Sequence, residues 1–576
     1  MNKRIVRRPA GDSGALSGTD LPPLLQRIYS SRGIRRPEEL DRSLKVLHPY
    51  HCLQDIDRAV EEIGASVVGG ERILVVGDFD CDGATSSALA VLALRAMGAA
   101  WVDFLVPNRF EYGYGLSREI VAVAAQQHPH LLITVDNGIS SIDGVAAARE
   151  AGMRVVVTDH HLPGEELPAA QALVNPNRAD CNFPSKHTCG VGVIFYVMSA
   201  LRRWLEARGW FADQGIPMPN MADFLDLVAL GTVADVVALD QNNRALVEQG
   251  LRRIRARRAR PGLLALLEVA GRNPAQLVAA DLGFAVGPRL NAAGRLEDMA
   301  IGIRCLLTDD PDEARRAATE LDALNRQRRE IEQDMQQQAL AALEAMSLDD
   351  QGELPYGVCL FDESWHEGVI GILASRIKER LHRPVIAFAD AGRGQIKGSA
   401  RSIPGLHIRD ALDAVAARHP EVLSKFGGHA MAAGMTLHRD QLETFRQAFD
   451  AEARRHLDAA ALEARLESDG ELKREELTLE MAVLLRNAGP WGQQFPEPRF
   501  DGCFELLQQR IVGQRHLKLV VQLPGTGFCL DAIAFNVDLD VWPSSADRAR
   551  LAYRLDINQF RGKTSLQLVV DHLEPL

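Results

Sequence analysis

The stretch Ile73–Ser87, ILVVGDFDCDGATSS, runs from four apolar residues into three carboxylates, Asp78, Asp80 and Asp82, with Gly83 closing the group. The apolar run reads as a buried strand. SSALAVLALRAMG reads as the helix that follows it, ended by Gly98. Carboxylates this closely spaced repel one another unless a positive charge lies between them. The segment therefore predicts a strand–turn–helix unit with a cation site at its edge.

The same texture recurs downstream. WVDFLVP reads as a strand, a helix starts near Ser117, LLITV is the next strand, a helix spans Ser140 to Ala151, and RVVVT follows. Strands that are apolar throughout and alternate with helices predict an α/β fold, with a parallel sheet covered on both faces. Ligands of such sheets bind beyond the carboxyl ends of the strands. Asp136 ends LLITV in TVDNG, and Asp159, His160 and His161 end RVVVT in TDHH. Asp235, in LVALGTVADVVAL, again follows an apolar run and is expected at the same edge.

Taken singly, an aspartate after a strand is usually a cap or turn residue, and each histidine fits a satisfied core position. Their coincidence at one edge favours a metal site. Carboxylates with imidazole suit Mn²⁺ well and Mg²⁺ less comfortably, and several shared acids point to two ions. An EF-hand calcium loop is excluded, because Leu89 stands where its bidentate glutamate is required.

A chain of 576 residues is too long for one core, and three or four domains are expected. The first 55 residues read as an arm on a catalytic domain over 56–305. The glycine-free segment after Pro311 reads as a connecting helix within 306–349, capped by Asp309 or Asp310. A smaller α/β unit is expected over 350–456. Short alternating segments over 457–576 read as antiparallel strands of a barrel of about five strands, with an OB-fold leading.

The eight cysteines include no CxxC pair, no apolar run approaches a membrane span, and the basic N-terminus lacks an apolar core. A reduced, cytoplasmic protein is expected. The net charge of −12 argues weakly against nucleic acid, because local basic patches decide such binding. The run LRRIRARRARPG, Leu251–Gly262, is as readily a solvated helix face as a binding patch.

In order and spacing, DFDCDG, TVDNG and TDHH resemble the motifs of the DHH phosphoesterase superfamily. GTVADVVALD, GPRLNAAGR, GQIKGSARS, KFGGHAMAAG and the terminal barrel extend the resemblance to its single-strand-specific 5′→3′ DNA exonucleases. The resemblance implies two cations held by Asp80, Asp82, Asp136, His160 and Asp235. Asp136 would bridge them, with Asp78 a ligand or a nearby acid and His161 facing the scissile phosphate. It implies in-line attack by a metal-bound hydroxide, with release of 5′-mononucleotides in DNA repair and recombination. It also implies a monomer that works with a single-strand-binding protein and a RecQ-type helicase.

Arg109, Arg289, Lys397, Ser399 and Arg401 are candidate phosphate ligands, as forked or point cations beside a hydroxyl. The resemblance gives them the 5′-terminal phosphate. Gly394 and Gly398 are expected to allow close backbone approach. Gly427, Gly428 and His429 match the smaller domain's signature; His429 is a further phosphate or DNA-binding candidate, and the glycines are expected either in a turn that opens a helix and presents amides to phosphate or in a tight packing turn. In the barrel, Phe528 and Phe560 are candidate stacking residues, with Arg515, Lys518 and Arg561 as cations. About half of the barrel aromatics are expected in its core. Two alternatives stay open: a phosphoesterase acting on pyrophosphate, short oligonucleotides or cyclic dinucleotides, and a non-catalytic single-strand-binding scaffold.

Overall fold

A computed structural model describes residues 3–107, 115–345, 354–423, 425–539, 541–560 and 562–576. The N-terminal strand is β1 (Arg4–Arg7). The catalytic sheet then contains β2 (Arg72–Gly77), β3 (Trp101–Leu105), β4 (Leu131–Val135), β5 (Arg154–Thr158) and β6 (Ala172–Val174). Its order is β3-β2-β4-β5-β6, and every pairing is parallel.

Strand periodicity sends alternate residues to opposite faces. Ile73, Val75, Leu131 and Ile133 join one core with helices Cys81–Ala96, Gly190–Glu206 and Leu225–Ala234. Leu74, Val76, Leu132 and Val155 join a second core with helices Arg118–Ala125 and Ile142–Glu150. The expected two-sided parallel sheet is what forms.

Helix Pro311–Ala345 has 35 residues. Oδ1 of Asp310 accepts from the Asp312 amide at 2.8 Å, capping the helix as expected. Its first half places Ala314, Ala318 and Leu321 in the catalytic core. Its second half places Met335, Ala339 and Leu343 against the smaller lobe. That lobe contains β7 (Val358–Phe361), β8 (Val385–Asp390), β9 (Gln395–Arg401), β10 (Lys425–Gly428) and β11 (Ala432–His438), ordered β10-β11-β9-β8-β7. Gly427 and Gly428 therefore lie in a strand and open no helix, contrary to the turn expected of them.

After β12 (Arg465–Ser468) comes a closed barrel of β13 (Phe500–Val512), β14 (His516–Gln522), β15 (Cys529–Ala534), β16 (Arg548–Phe560) and β17 (Lys563–Pro575). The order β13-β14-β15-β17-β16 includes one parallel pair, β15 with β17, so the barrel is not wholly antiparallel. That arrangement is an OB-fold barrel. Phe504 and Tyr553 fill its core, whereas Phe535 and Phe560 are exposed.

The N-terminal arm binds both ends of the molecule. β1 pairs in parallel with β12, and Arg32 makes a bidentate pair with Asp469 at 2.8 and 3.0 Å. On the catalytic side, the Glu39 carbonyl accepts from Arg244 at 2.8 Å and the Glu38 carbonyl from Gln241 at 2.7 Å.

Candidate active site

The cluster forms where β2, β4 and β5 end. Asp80 is the N-cap of helix Cys81–Ala96 and accepts from the Gly83 amide at 3.0 Å. Asp82, one turn in, aims both oxygens at the N-terminus of helix Gly190–Glu206, accepting from Gly190 and Val191 at 2.6 and 2.9 Å. Asp136 sits at φ 61°, a conformation strained for a residue with a Cβ. Glycine is required beside it: a Cβ on Gly190 would stand 2.6 Å from Asp136 Cβ, and one on Gly231 would stand 2.8 Å from Oδ1 of Asp82.

Asp235 is not at a strand end. The apolar run LVALGTVA folds as a helix, Leu225–Ala234, and Asp235 is its C-cap. Gly231 and Leu225–Thr232 are buried, so a run apolar on every face reads equally as strand or helix. The residue still arrives at the same place, because the helix packs against helices Cys81–Ala96 and Gly190–Glu206, whose N-termini hold Asp80 and bind Asp82. Nε2 of His160 stands 3.1 Å from Oδ1 of Asp136, 3.6 Å from Oδ2 of Asp235 and 4.0 Å from Oδ2 of Asp82.

Asp78, Asp80 and Asp136 offer donor atoms within 4.8 Å of one another, as do Asp82, His160 and Asp235, and likewise Asp136, His160 and His161. Asp136 belongs to two of these groups, the placement needed to bridge two ions. Without a cation the cluster is electrostatically costly. Burial, then the neighbouring Asp80, pushes Asp82 up to about 7. Burial, then Asp82, raises Asp136 and Asp235 well above the usual carboxylate range. Burial pushes His160 down to about 4, keeping it neutral as a ligand must be. Nε2 of His160 and Oδ2 of Asp235 are buried with no hydrogen-bond partner. These residues fit divalent cations.

Asp159, the first residue of the DHH triplet in TDHH, is in none of these donor groups. Its Oδ1 accepts from the amides of His160 and His161 at 2.7 and 3.1 Å and lies 2.8 Å from Nδ1 of His161. Burial opposes the charge on His161, but the hydrogen bond and charge of Asp159, with Asp78 and Asp80, carry it to about 9. The His161 imidazole thus stands beside the acids, biased toward its charged form by Asp159, with the His429 ring stacked 6.2 Å away.

Facing the cluster across the interlobe cleft is a cavity of about 580 Å³, lined by Asp80, Asn291 and Arg295 on one side and by Lys397, Ser399 and Arg401 on the other. The last three alternate along β9 and so share a face, while Ile396 and Ala400 enter the core. Gly398 serves packing rather than backbone approach, since a Cβ there would stand 2.4 Å from the Phe388 ring. Gly394 is a turn residue at φ 75°. Gly371, in the first turn of helix Ile370–Leu381, lets Arg401 and Ser399 approach: a Cβ there would lie 3.0 Å from each. A helix N-terminus with these side chains presents donors of the kind that suit an anion. Lys397 is paired with Glu367 at 2.9 Å.

Arg289 is turned away. It binds Asp322 of the long helix at 2.9 Å and the Ala285 carbonyl at 2.5 Å, and it is buried. Arg295, the other arginine of GPRLNAAGR, lines the cavity instead. It lies near the other end of helix Gly287–Leu296, and only that helix's orientation distinguishes the two. Arg109 and Arg561 lie outside the described residues. Arg515 is exposed, Lys518 and Phe528 are half-buried, and Phe528 lies beneath Arg474 at 5.5 Å.

Three family descriptions match the chain: the DHH family, N-terminal domain, over residues 72–232; the DHHA1 domain over 353–455; and the RecJ OB domain over 468–572. The chain is 58% identical over 574 residues to the single-stranded-DNA-specific exonuclease RecJ of Dickeya dadantii, covering 100% of this chain and 99% of that one. It is 56% identical to the Escherichia coli protein of the same name, covering 99% of each. The crystal structure of RecJ from Thermus thermophilus in complex with Mn²⁺ superimposes with a TM-score of 0.80 at 30% identity, covering 100% of this chain and 79% of that one.

Proposed function

Because this chain belongs to the RecJ family of single-stranded-DNA-specific exonucleases, we propose that it degrades single-stranded DNA from the 5′ end to 5′-mononucleotides with two divalent cations, Mn²⁺ or Mg²⁺. The observation that carries the reading is the sharing of Asp80 between the acid cluster and the cation-lined cavity. A strand end bound by Lys397, Ser399, Arg401 and Arg295 would lay its first phosphodiester against the acids. Asp80, Asp82, Asp136, His160 and Asp235 would hold the cations, with Asp78 beside them. When bound, the cations activate water and neutralise charge on the phosphate oxygens. His161, held protonated by Asp159, donates to the leaving 3′ oxygen.

The barrel, with Phe528 and Phe560 as stacking candidates, extends the path for a single strand. The proposed setting is cytoplasmic DNA repair and recombination, as a monomer beside a single-strand-binding protein and a RecQ-type helicase. No described helix is long and apolar enough to cross a membrane.

The test uses a 3′-labelled oligonucleotide bearing a 5′ phosphate, with Mn²⁺ or Mg²⁺, beside duplex and beside Asp136→Ala. Progressive shortening of the labelled single strand, lost in the variant, supports the reading. Immediate release of the label as a mononucleotide overturns the polarity. Activity on dinucleotides alone favours a small-substrate phosphoesterase.

A further inference from the structure

The segment that follows Asp235 is held by the barrel side of the molecule. Val236 has φ 61°. A β-branched residue in that region is strained and persists only where its surroundings impose the conformation. Val236 is itself exposed, at 63%, so its own packing does not impose it. One restraint is local, the Val236 amide donating to the Val233 carbonyl at 3.3 Å, and the others come two and three residues later. The Ala238 carbonyl accepts from Asn243 at 2.8 Å, and the Leu239 carbonyl accepts from Arg244 at 2.8 Å. The Leu239 amide donates to the Gln493 carbonyl at 2.9 Å.

Gln493 belongs to GPWGQQF, Gly489–Phe495, the loop between helix Leu479–Ala488 and the barrel. The loop is tightly closed. Gly492 and Phe495 exchange backbone hydrogen bonds at 2.9 and 3.1 Å. Trp491 and Phe495 stack at 5.1 Å, and Arg244 lies over the Phe495 ring at 4.4 Å. Gly492 abuts Leu239 so closely that a Cβ would stand 2.7 Å from its Cδ1. The helix before the loop packs on β16 of the barrel. On the other side, Asp235 caps a buried helix, its amide donating to the Gly231 carbonyl at 2.9 Å.

We propose that the Gly489–Phe495 loop is a positioning element for Asp235. By pinning Leu239 it imposes the strained turn at Val236, and so it sets the ligand's approach to the cations and links barrel docking to metal affinity. The inference rests on the reading of Asp235 as a metal ligand.

Two variants of the full chain test it. Gly492→Ala pushes on Leu239, and Val236→Gly relieves the turn without removing buried packing. Mn²⁺ affinity is measured by paramagnetic resonance of the free ion on DNA-free protein. Turnover is measured on a long single strand and on a 5′-phosphorylated dinucleotide too short to reach the barrel. For Gly492→Ala the expected result is an affinity about tenfold or more weaker at one site, the scale of lost ligand support. Its turnover should fall equally on both substrates, with the KM for the long strand unchanged. Val236→Gly leaves the pin intact and adopts the positive φ freely, so it should keep the Mn²⁺ affinity and keep or raise the melting temperature. Adding Leu239→Ala to Gly492→Ala should restore part of the affinity.

Unchanged Mn²⁺ affinity in Gly492→Ala, or a loss confined to the KM for the long strand, overturns the proposal. A control variant, Asp235→Ala, separates the two readings. If its Mn²⁺ affinity is unchanged, the ligand assignment fails. If affinity drops there while Gly492→Ala binds normally, the loop's role alone fails.

Discussion

Replacing Asp159 by asparagine keeps the shape of the side chain and removes its charge. Asp159 is 1% exposed and uses both oxygens, Oδ1 toward His160 and His161 and Oδ2 as acceptor of the Ile139 amide at 2.9 Å. A hydrogen bond to a charged group contributes about 1.5–3 kcal/mol. At 1.36 kcal/mol per pKa unit, losing the His161 bond lowers that imidazolium by about one to two units. This is much of the lift that now holds His161 at about 9 against burial.

Protonated His161 is present below its pKa, so the alkaline limb of the rate profile moves to lower pH by the same one to two units, on the order of what the hydrogen bond supplies. The plateau also falls, because the amide of asparagine must turn its own N–H toward one of the donors Asp159 now accepts from. The assay is single-turnover cleavage of a 5′-phosphorylated strand at saturating Mg²⁺, from neutral to alkaline pH, with Mn²⁺ affinity measured alongside. An unmoved limb at full rate would refute the assignment of His161 as the acid. A large loss of Mn²⁺ affinity would instead make Asp159 a ligand.

Three further outcomes are expected. Gly190→Ala drives a Cβ into Asp136 and should weaken Mn²⁺ binding while costing about 1–3 kcal/mol in unfolding free energy, read by denaturant titration. In the metal-free protein, Asp82 titrates near 7 when folded but in the usual carboxylate range when unfolded. Its contribution to stability is therefore greatest in acid and is lost as pH rises from about 4 to 7, a slope that saturating Mn²⁺ should flatten in melting curves.

Asp501, 1% exposed, accepts from Arg7, Arg550 and Ser468, which hold it below its ordinary value against burial. Asp501→Ala should destabilise the chain by about 1–3 kcal/mol, chiefly by leaving the buried Ser468 hydroxyl without its acceptor. In the parent protein, the contribution of Asp501 is present above the usual carboxylate range and disappears as pH falls through its depressed pKa.

The sequence by itself determined what depends on neighbours along the chain. Continuous apolar runs of strand length set β2, β4 and β5, and a Pro start without later breakers set the long helix. Motif acids at strand ends set Asp78, Asp80, Asp82, Asp136 and His160 around one edge, because a strand's end is local to its own residues. Lys397, Ser399 and Arg401 were legible by their chemistry within GQIKGSARS, and the fold put them on one face of β9. The tertiary structure decided the rest. A run apolar on every side left Asp235 readable as a strand residue until the packing of its helix was known. Arg289 and Arg295 lie on one helix, and only the approach of Asp322 and Gly368 from distant segments assigns one to the core and the other to the cleft. Pinning of the Asp235 turn by Gln493 joins Leu239 to a residue 254 positions further along the chain, and no local pattern encodes a contact whose two halves meet only after both domains have folded.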